Sequence, residues 1–228
     1  MTVAGAPDAD TAGAGASHPA TVVVDELLIF PCNGNGIEAL DCLGTAFRLL
    51  GFIDDTPEKQ QTRPFGHPVH TRSALQRWPQ ARVLALPGSP DSYRQRRSVI
   101  EGLGIDDSRW ARVVHPAARI SPLASIGRNV LLMAGVVVTS NAVIGDHVCV
   151  LPNTVVHHDA RIGDWSLVGS NVTVAGHVRI GDNCYVGSGT SIKNGLHIGD
   201  GTLVGLGSTV IRNAPAGSRI AGNPARPV

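Results

Sequence analysis

Aromatic residues make up only 4% of the 228-residue chain and charged residues only 16%, with a net charge of +1. Charge so sparse and balanced argues against a nucleic-acid groove, which needs a clustered basic face. The four cysteines, Cys32, Cys42, Cys149 and Cys184, stand far apart with no CxxC pair. That spacing argues against a disulfide framework or a zinc knuckle, and reduced thiols in a cytoplasmic protein are expected. No apolar run approaches the roughly 18 residues of a membrane span. A basic stretch leading into an apolar core, the mark of a secretory signal, is also missing from the N-terminus. Glycine and proline, by contrast, are plentiful, at 27 and 15 residues beside 43% hydrophobic content. Such a composition suits a packed core too narrow for rings, with glycine at many corners.

An aliphatic residue recurs at every sixth position from Ile120 to Val210 without a miss. The series runs through Ile126, Leu132, Val138, Ile144, Val150, Val156, Ile162, Val168, Val174, Ile180, Val186, Ile192, Ile198 and Val204. Neither a helix (period 3.6) nor an ordinary strand (period 2) selects every sixth residue for burial. Short strands that turn a corner after six residues do. Three of them close a triangular coil of 18 residues, and about five such coils stack as a parallel solenoid over residues 116–216.

The sequence before the solenoid has a different rhythm. Residues 1–24 carry no amphipathic period until their last valines and are expected to form a flexible tail. Residues 25–115 read as a small α/β domain with a parallel, Rossmann-like sheet. LLIF (27–30) is a strand leading into the loop CNGNG, and Ile37, Leu40, Leu43, Phe47 and Leu50 predict a helix. GFIDD (51–55) is a second strand, Ser73 to Trp78 a short helix, RVLALPG (82–88) a third strand, and Ser89 to Leu103 a long helix. After Val210 the period dissolves into a Gly/Pro-rich segment, so residues 217–228 are expected to leave the coil and fold back along the outside.

The hexads IGRNVL, IGDHVC, IGDWSL, IGDNCY and IGDGTL, with the terminal AGNPAR, resemble the left-handed β-helix (hexapeptide-repeat) acyltransferases. The N-terminal LLIFPCNGNGIEAL, GFIDD and GHPV narrow the resemblance to the nucleotide-sugar N-acetyltransferases and sialic acid O-acetyltransferases. The resemblance implies the left hand of the helix, a homotrimer, acetyl-CoA as co-substrate with no metal, and as acceptor the amine or hydroxyl of a sugar, expected to be a nucleotide-linked amino sugar. Acylation of an amino acid or antibiotic, a γ-carbonic-anhydrase-like metalloenzyme and a non-catalytic trimeric spacer are the alternatives. The metalloenzyme fits poorly, because His147, His177 and His197 are not spaced as a ligand set and adjacent His157 and His158 cannot easily face one ion.

One hexad breaks the pattern of its neighbours. Val156-His157-His158-Asp159-Ala160-Arg161 places two imidazoles and a carboxylate at a corner. A nucleophile attacking a thioester must lose a proton, for which a histidine is the usual acceptor, and a neighbouring carboxylate can orient its ring. The resemblance implies that His158 is the general base and Asp159 its carboxylate. His157 stands where relatives often have an acid and counts among the candidate acceptor contacts. One coil further on, at a spacing of about 4.8 Å, lies Gly176, whose backbone N–H is expected to meet the oxyanion. By resemblance Gly176, Asn194 and the tail residues Gly222, Asn223, Pro224 and Arg226 contact the coenzyme. The second coenzyme-contacting histidine of relatives is replaced by Leu167. Around the N-terminal loop, Asn33, Gly34, Asn35 and Gly36, with Asp54 and Asp55 at a strand end, are the candidate acceptor contacts.

Overall fold

The computed structural model describes residues 1–2 and 24–228. Nearly all of the expected N-terminal tail therefore lies outside the described residues. No helix among the described residues is long and apolar enough to cross a membrane.

The first unit is a four-stranded parallel sheet in the order β3-β2-β1-β4. Its strands are β1 (Asp25–Phe30), β2 (Phe47–Ile53), β3 (Val69–His70) and β4 (Arg82–Ala85). The helices α1 (Gly34–Glu38), α2 (Ala74–Arg77) and α3 (Arg96–Glu101) connect or follow them. Two expectations fail here. Phe47 and Leu50 belong to β2 and not to the helix, because Gly44 takes φ +53 and reverses the chain before them. The long helix over 89–103 is reduced to α3 and a single preceding 3-10 turn, Tyr93–Gln95. Arg96, fully buried, donates to the carbonyls of Pro87 and His147 and so ties α3 to the second unit.

That second unit is a three-faced parallel β-helix. Its faces hold eight, six and five strands, most of them two residues long. Each strand pairs in parallel with the one 18 residues on, as in Val155↔Thr173 and Arg161↔Arg179. The aliphatic series fills the interior: every member from Leu132 to Val210 is buried, while Ile120 and Ile126 at the open first coil are half-buried. Strand β5 (Arg112–Val114) already pairs with Val130–Leu132, so the eight-stranded face begins just before the expected division at residue 116. At the other end the expected departure of the tail is corrected. Arg219–Gly222 continues the same face in parallel, pairing with Leu203–Val204 sixteen residues earlier, and only then does Ala225–Pro227 return antiparallel.

The recurring Ile-Gly-Asp has a local reason. At the corner between the five- and eight-stranded faces, the Oδ1 of Asp146, Asp164, Asp182 and Asp200 each accepts an amide from the coil before, at 2.8–2.9 Å. The carboxylate lies where the preceding coil's glycine would carry a Cβ, so Gly127, Gly145, Gly163 and Gly181 leave it room. The α/β unit packs on the eight-stranded face, with Leu27, Ile29, Cys42 and Tyr93 against Leu131, Met133, Cys149 and Leu167. Leu167 thus spends its side chain on this junction, which accounts for the absence of a histidine there.

Candidate active site

The edge opposite the α/β unit joins the six-stranded face to the five-stranded one. His158 and Asp159 lie on this edge, between the strands Val155–Val156 and Arg161–Ile162. His158 Nδ1 and Asp159 Oδ2 are 2.8 Å apart, and Asn141 Nδ2 donates to Asp159 Oδ1 at 3.3 Å. The hydrogen bond to His158 is the chief reason that the Asp159 carboxyl is held below the usual carboxylate range. An ionised Asp159 favours the proton on Nδ1, leaving the Nε2 lone pair free to accept another.

Gly176 lies directly beyond. The His177 N–H donates to the His158 carbonyl at 3.1 Å, which fixes the two corners in adjacent coils. A Cβ on Gly176 would come within 2.7 Å of His158 Nε2. Among the described residues the Gly176 N–H has no hydrogen-bond partner. At the Ile-Gly-Asp corners the equivalent amide is taken by the aspartate of the next coil. The imidazole therefore stands against Gly176, whose amide is vacant among the described residues.

His177 is not spaced as a ligand set with His147 and His197 in the sequence, yet the structure brings it beside Asp159. Its Nε2 is 3.9 Å from Asp159 Oδ2, and its ring stands edge-on to that of His158 with centroids 5.1 Å apart. The signal was present, because residue 177 stacks one coil beyond residue 159. His157 is half-buried, with its backbone in the coil pairing and no side-chain hydrogen bond among the described residues. Asn194 is exposed on the same edge one coil beyond Gly176. Gly222, Asn223, Pro224 and Arg226 lie in the exposed hairpin at the end of the eight-stranded face, on a different side of the prism.

The N-terminal candidates separate into two groups. Asn33 caps α1, its Oδ1 accepting from Gly36 at 2.8 Å while its Nδ2 donates to Leu86 at 3.1 Å. Gly36 is consequently buried and its amide is used. Asp54 is 3% exposed, and its oxygens accept from Cys32, Thr56 and Lys59 at 2.9–3.0 Å. Burial alone would raise its pKa, yet the Thr56 and Lys59 hydrogen bonds outweigh it and hold the carboxyl below the usual range. Asp55 is engaged by Arg72 in a two-pronged ion pair at 2.7 and 2.9 Å. These residues hold the loops in shape. The amides of Gly34 and Asn35, in contrast, have no partner among the described residues. Asn35 also lines a cavity of about 210 Å³ with Ser89, Pro90, Leu151, Gly169 and Tyr185. Sequence reading missed the Ser89–Pro90 side of this cavity, which no motif marks.

Comparison with known proteins agrees with this architecture. A family model described as GMPPB C-terminal domain matches residues 110–206. No curated protein sequence matches the chain. Among solved structures, the acetyltransferase domain of PglB from Neisseria gonorrhoeae FA1090, in complex with acetyl coenzyme A, is 27% identical. The match covers 90% of this chain and 100% of that one, with a TM-score of 0.78. PerB from Caulobacter crescentus, in complex with CoA and GDP-perosamine, is 25% identical over 90% of this chain and 98% of that one (TM-score 0.75). WeeI from Acinetobacter baumannii AYE is 26% identical over 90% and 100%, also with a TM-score of 0.75. The chain is an acyltransferase built on the hexapeptide-repeat β-helix, and it is similar to the nucleotide-sugar N-acetyltransferases.

Proposed function

We propose that the protein transfers the acetyl group of acetyl-CoA directly to the amine of a nucleotide-linked amino sugar, as a homotrimer with each site between two subunits. The observation that carries this reading is the stacking of the Asp159-held His158 ring on the unpartnered amide of Gly176. His158 Nε2 takes the proton from the acceptor nitrogen as that nitrogen attacks the thioester carbonyl carbon. The carbonyl oxygen gains charge, which the Gly176 N–H stabilises. Collapse of the tetrahedral intermediate breaks the carbon–sulfur bond, and the thiolate leaves with a proton returned by His158.

The relatives support the choice of substrates, since PglB is described with acetyl coenzyme A and PerB with CoA and GDP-perosamine. The free amides of Gly34 and Asn35 suit the phosphates or hydroxyls of such an acceptor, and the 210 Å³ cavity beside them suits its ring. This assigns acceptor binding to residues 25–115 as a Rossmann-like domain. Its cavity opens on the eight-stranded face, whereas His158 occupies the opposite edge of the same chain. An acceptor held by one subunit therefore meets the base of the next. The outward row of the six-stranded face beside His158 is uncharged over Val137, Val155, Thr173 and Ser191, as subunit packing requires. Asn194 continues the edge beyond Gly176 and extends the coenzyme track, and the hairpin at Gly222–Arg226 lies toward its adenine end. Four buried free thiols suit a reducing, cytoplasmic setting.

A thiol-release assay with acetyl-CoA and a panel of nucleotide-linked amino sugars tests the proposal. Release should require both substrates, and His158→Ala should lower kcat by about 10² or more. Unchanged turnover in that variant would remove His158 as the base. Release only with hydroxyl acceptors would replace N-acetylation by O-acetylation.

A further inference from the structure

We infer that the His158 edge also holds a divalent transition-metal ion of the zinc class, bound by His158, Asp159 and His177, and that this ion inhibits the enzyme. One donor atom from each residue lies within 4.8 Å of the other two. Asp159 Oδ2 stands between the rings, 2.8 Å from His158 Nδ1 and 3.9 Å from His177 Nε2. An ion bound at about 2.0–2.1 Å by two imidazoles and a carboxylate holds its donors a little over 3 Å apart. Small rotations of exposed side chains bridge that difference. The side chains of His158, Asp159 and His177 are 57%, 38% and 63% exposed, so an ion enters from solvent and water completes its shell. Imidazole with carboxylate selects zinc, nickel and copper over magnesium and calcium.

The backbone supplies a second observation. Each corner places one residue in the left-handed region, and Asn or Gly fills that place at Asn129, Gly135, Asn141, Asn153, Asn171, Asn183, Gly189, Gly195, Gly201 and Gly207. Over this stretch, among the described residues, the exceptions are His147, Asp159, Trp165 and His177. These form two touching pairs one coil apart. His147 stacks on Trp165 in a buried cluster, whereas Asp159 and His177 meet on the open edge. His177 has no part in the proton transfer described above.

Binding does not depend on the proposed reaction, but inhibition rests on it. An ion held by His158 and Asp159 occupies the ring and the carboxylate on which the proposed proton transfer depends, and so takes the base out of use. The full chain, stripped with EDTA, is titrated with zinc chloride by calorimetry. One site per chain is expected, weakened about tenfold or more in His177→Ala and Asp159→Asn, the least that removal of a direct ligand should cost. His177→Asn, which carries the residue common at these corners, repeats the measurement without altering the turn. Zinc should suppress thiol release by the wild type, EDTA should restore it, and His177→Ala should turn over normally without zinc and resist its addition. Equal zinc affinity in the wild type and both His177 variants, or no binding at all, overturns the site. Zinc binding by a chain that transfers no acetyl group retires the catalytic reading and leaves the metal site standing.

Discussion

Gly176 lacks the left-handed backbone that explains many glycines in such a fold, so its backbone conformation is open to any residue. What requires glycine is the His158 ring, which fills the place of a Cβ. Gly176→Ala should therefore push the base out of line while leaving the coil intact. Turnover is expected to fall by about 10², the effect of an ångström-scale misplacement, with an unchanged far-UV circular dichroism spectrum. Turnover close to wild type would mean that the ring works from another position. Both halves of this pair were legible in the sequence, because a spacing of 18 converts directly into contact. His177 was equally within reach of that arithmetic and was overlooked because it was weighed against distant histidines, not against the carboxylate one coil below. The surroundings of Asp54 were hidden for the opposite reason. The acid at a strand end is visible in sequence, but the Cys32, Thr56 and Lys59 donors that occupy it converge only in three dimensions.

Short strands succeed here because the solenoid repeats a single decision. A two-residue strand has little intrinsic stability, yet each strand inside a face pairs on both sides in the same register, and the Ile-Gly-Asp corner adds one amide–carboxylate bond per coil. Asp164→Ala removes the acceptor of the Asp146 amide and should cost about 1 kcal/mol in urea unfolding, the usual value of such a bond. Asp164→Asn keeps an acceptor and relieves the repulsion between stacked carboxylates. At Asp182 burial raises the carboxyl pKa most, the Asp164 amide bond opposes it, and the neighbouring Asp164 and Asp200 charges add to the rise. The asparagine variant should therefore unfold within about 0.5 kcal/mol of the wild type. An alanine variant as stable as the asparagine one would deny the corner bond its role. The helices of the α/β unit were harder to read than the strands. Phe47 and Leu50 satisfy a helical period and a buried strand alike, and only the reversal at Gly44 decides between them.

At the scale of the assembly, the cavity and the base of one chain lie on opposite sides of its prism. Subunits carrying His158→Ala and subunits carrying Ser89→Trp, which obstructs the cavity, should each be inactive as homotrimers. Co-expressed at equal levels they should recover about a quarter of wild-type turnover, the share of interfaces that pair an intact cavity with an intact base in a symmetric ring. Light scattering should give a mass near three chains. Recovery of no activity would place both functions within one subunit. The repeat of the β-helix was legible in the sequence because its period is local, whereas its final strand pair, Arg219–Gly222 with Ala225–Pro227, was not. The cavity beside Asn35 was not, because Asn35, Ser89, Leu151 and Tyr185 come from both units and meet only after the domain docks.

The strict register of the coils also bounds how this molecule can change in length. Excision or duplication of a whole 18-residue turn shifts everything downstream along the axis by one storey and returns each side chain to its own edge. A six-residue change keeps the buried aliphatic series but rotates every later corner to the neighbouring edge, so that His158 would face a different subunit surface. Variation in the protein's height is thus available only in complete turns, and the distance from the His158 corner to either end is quantised accordingly.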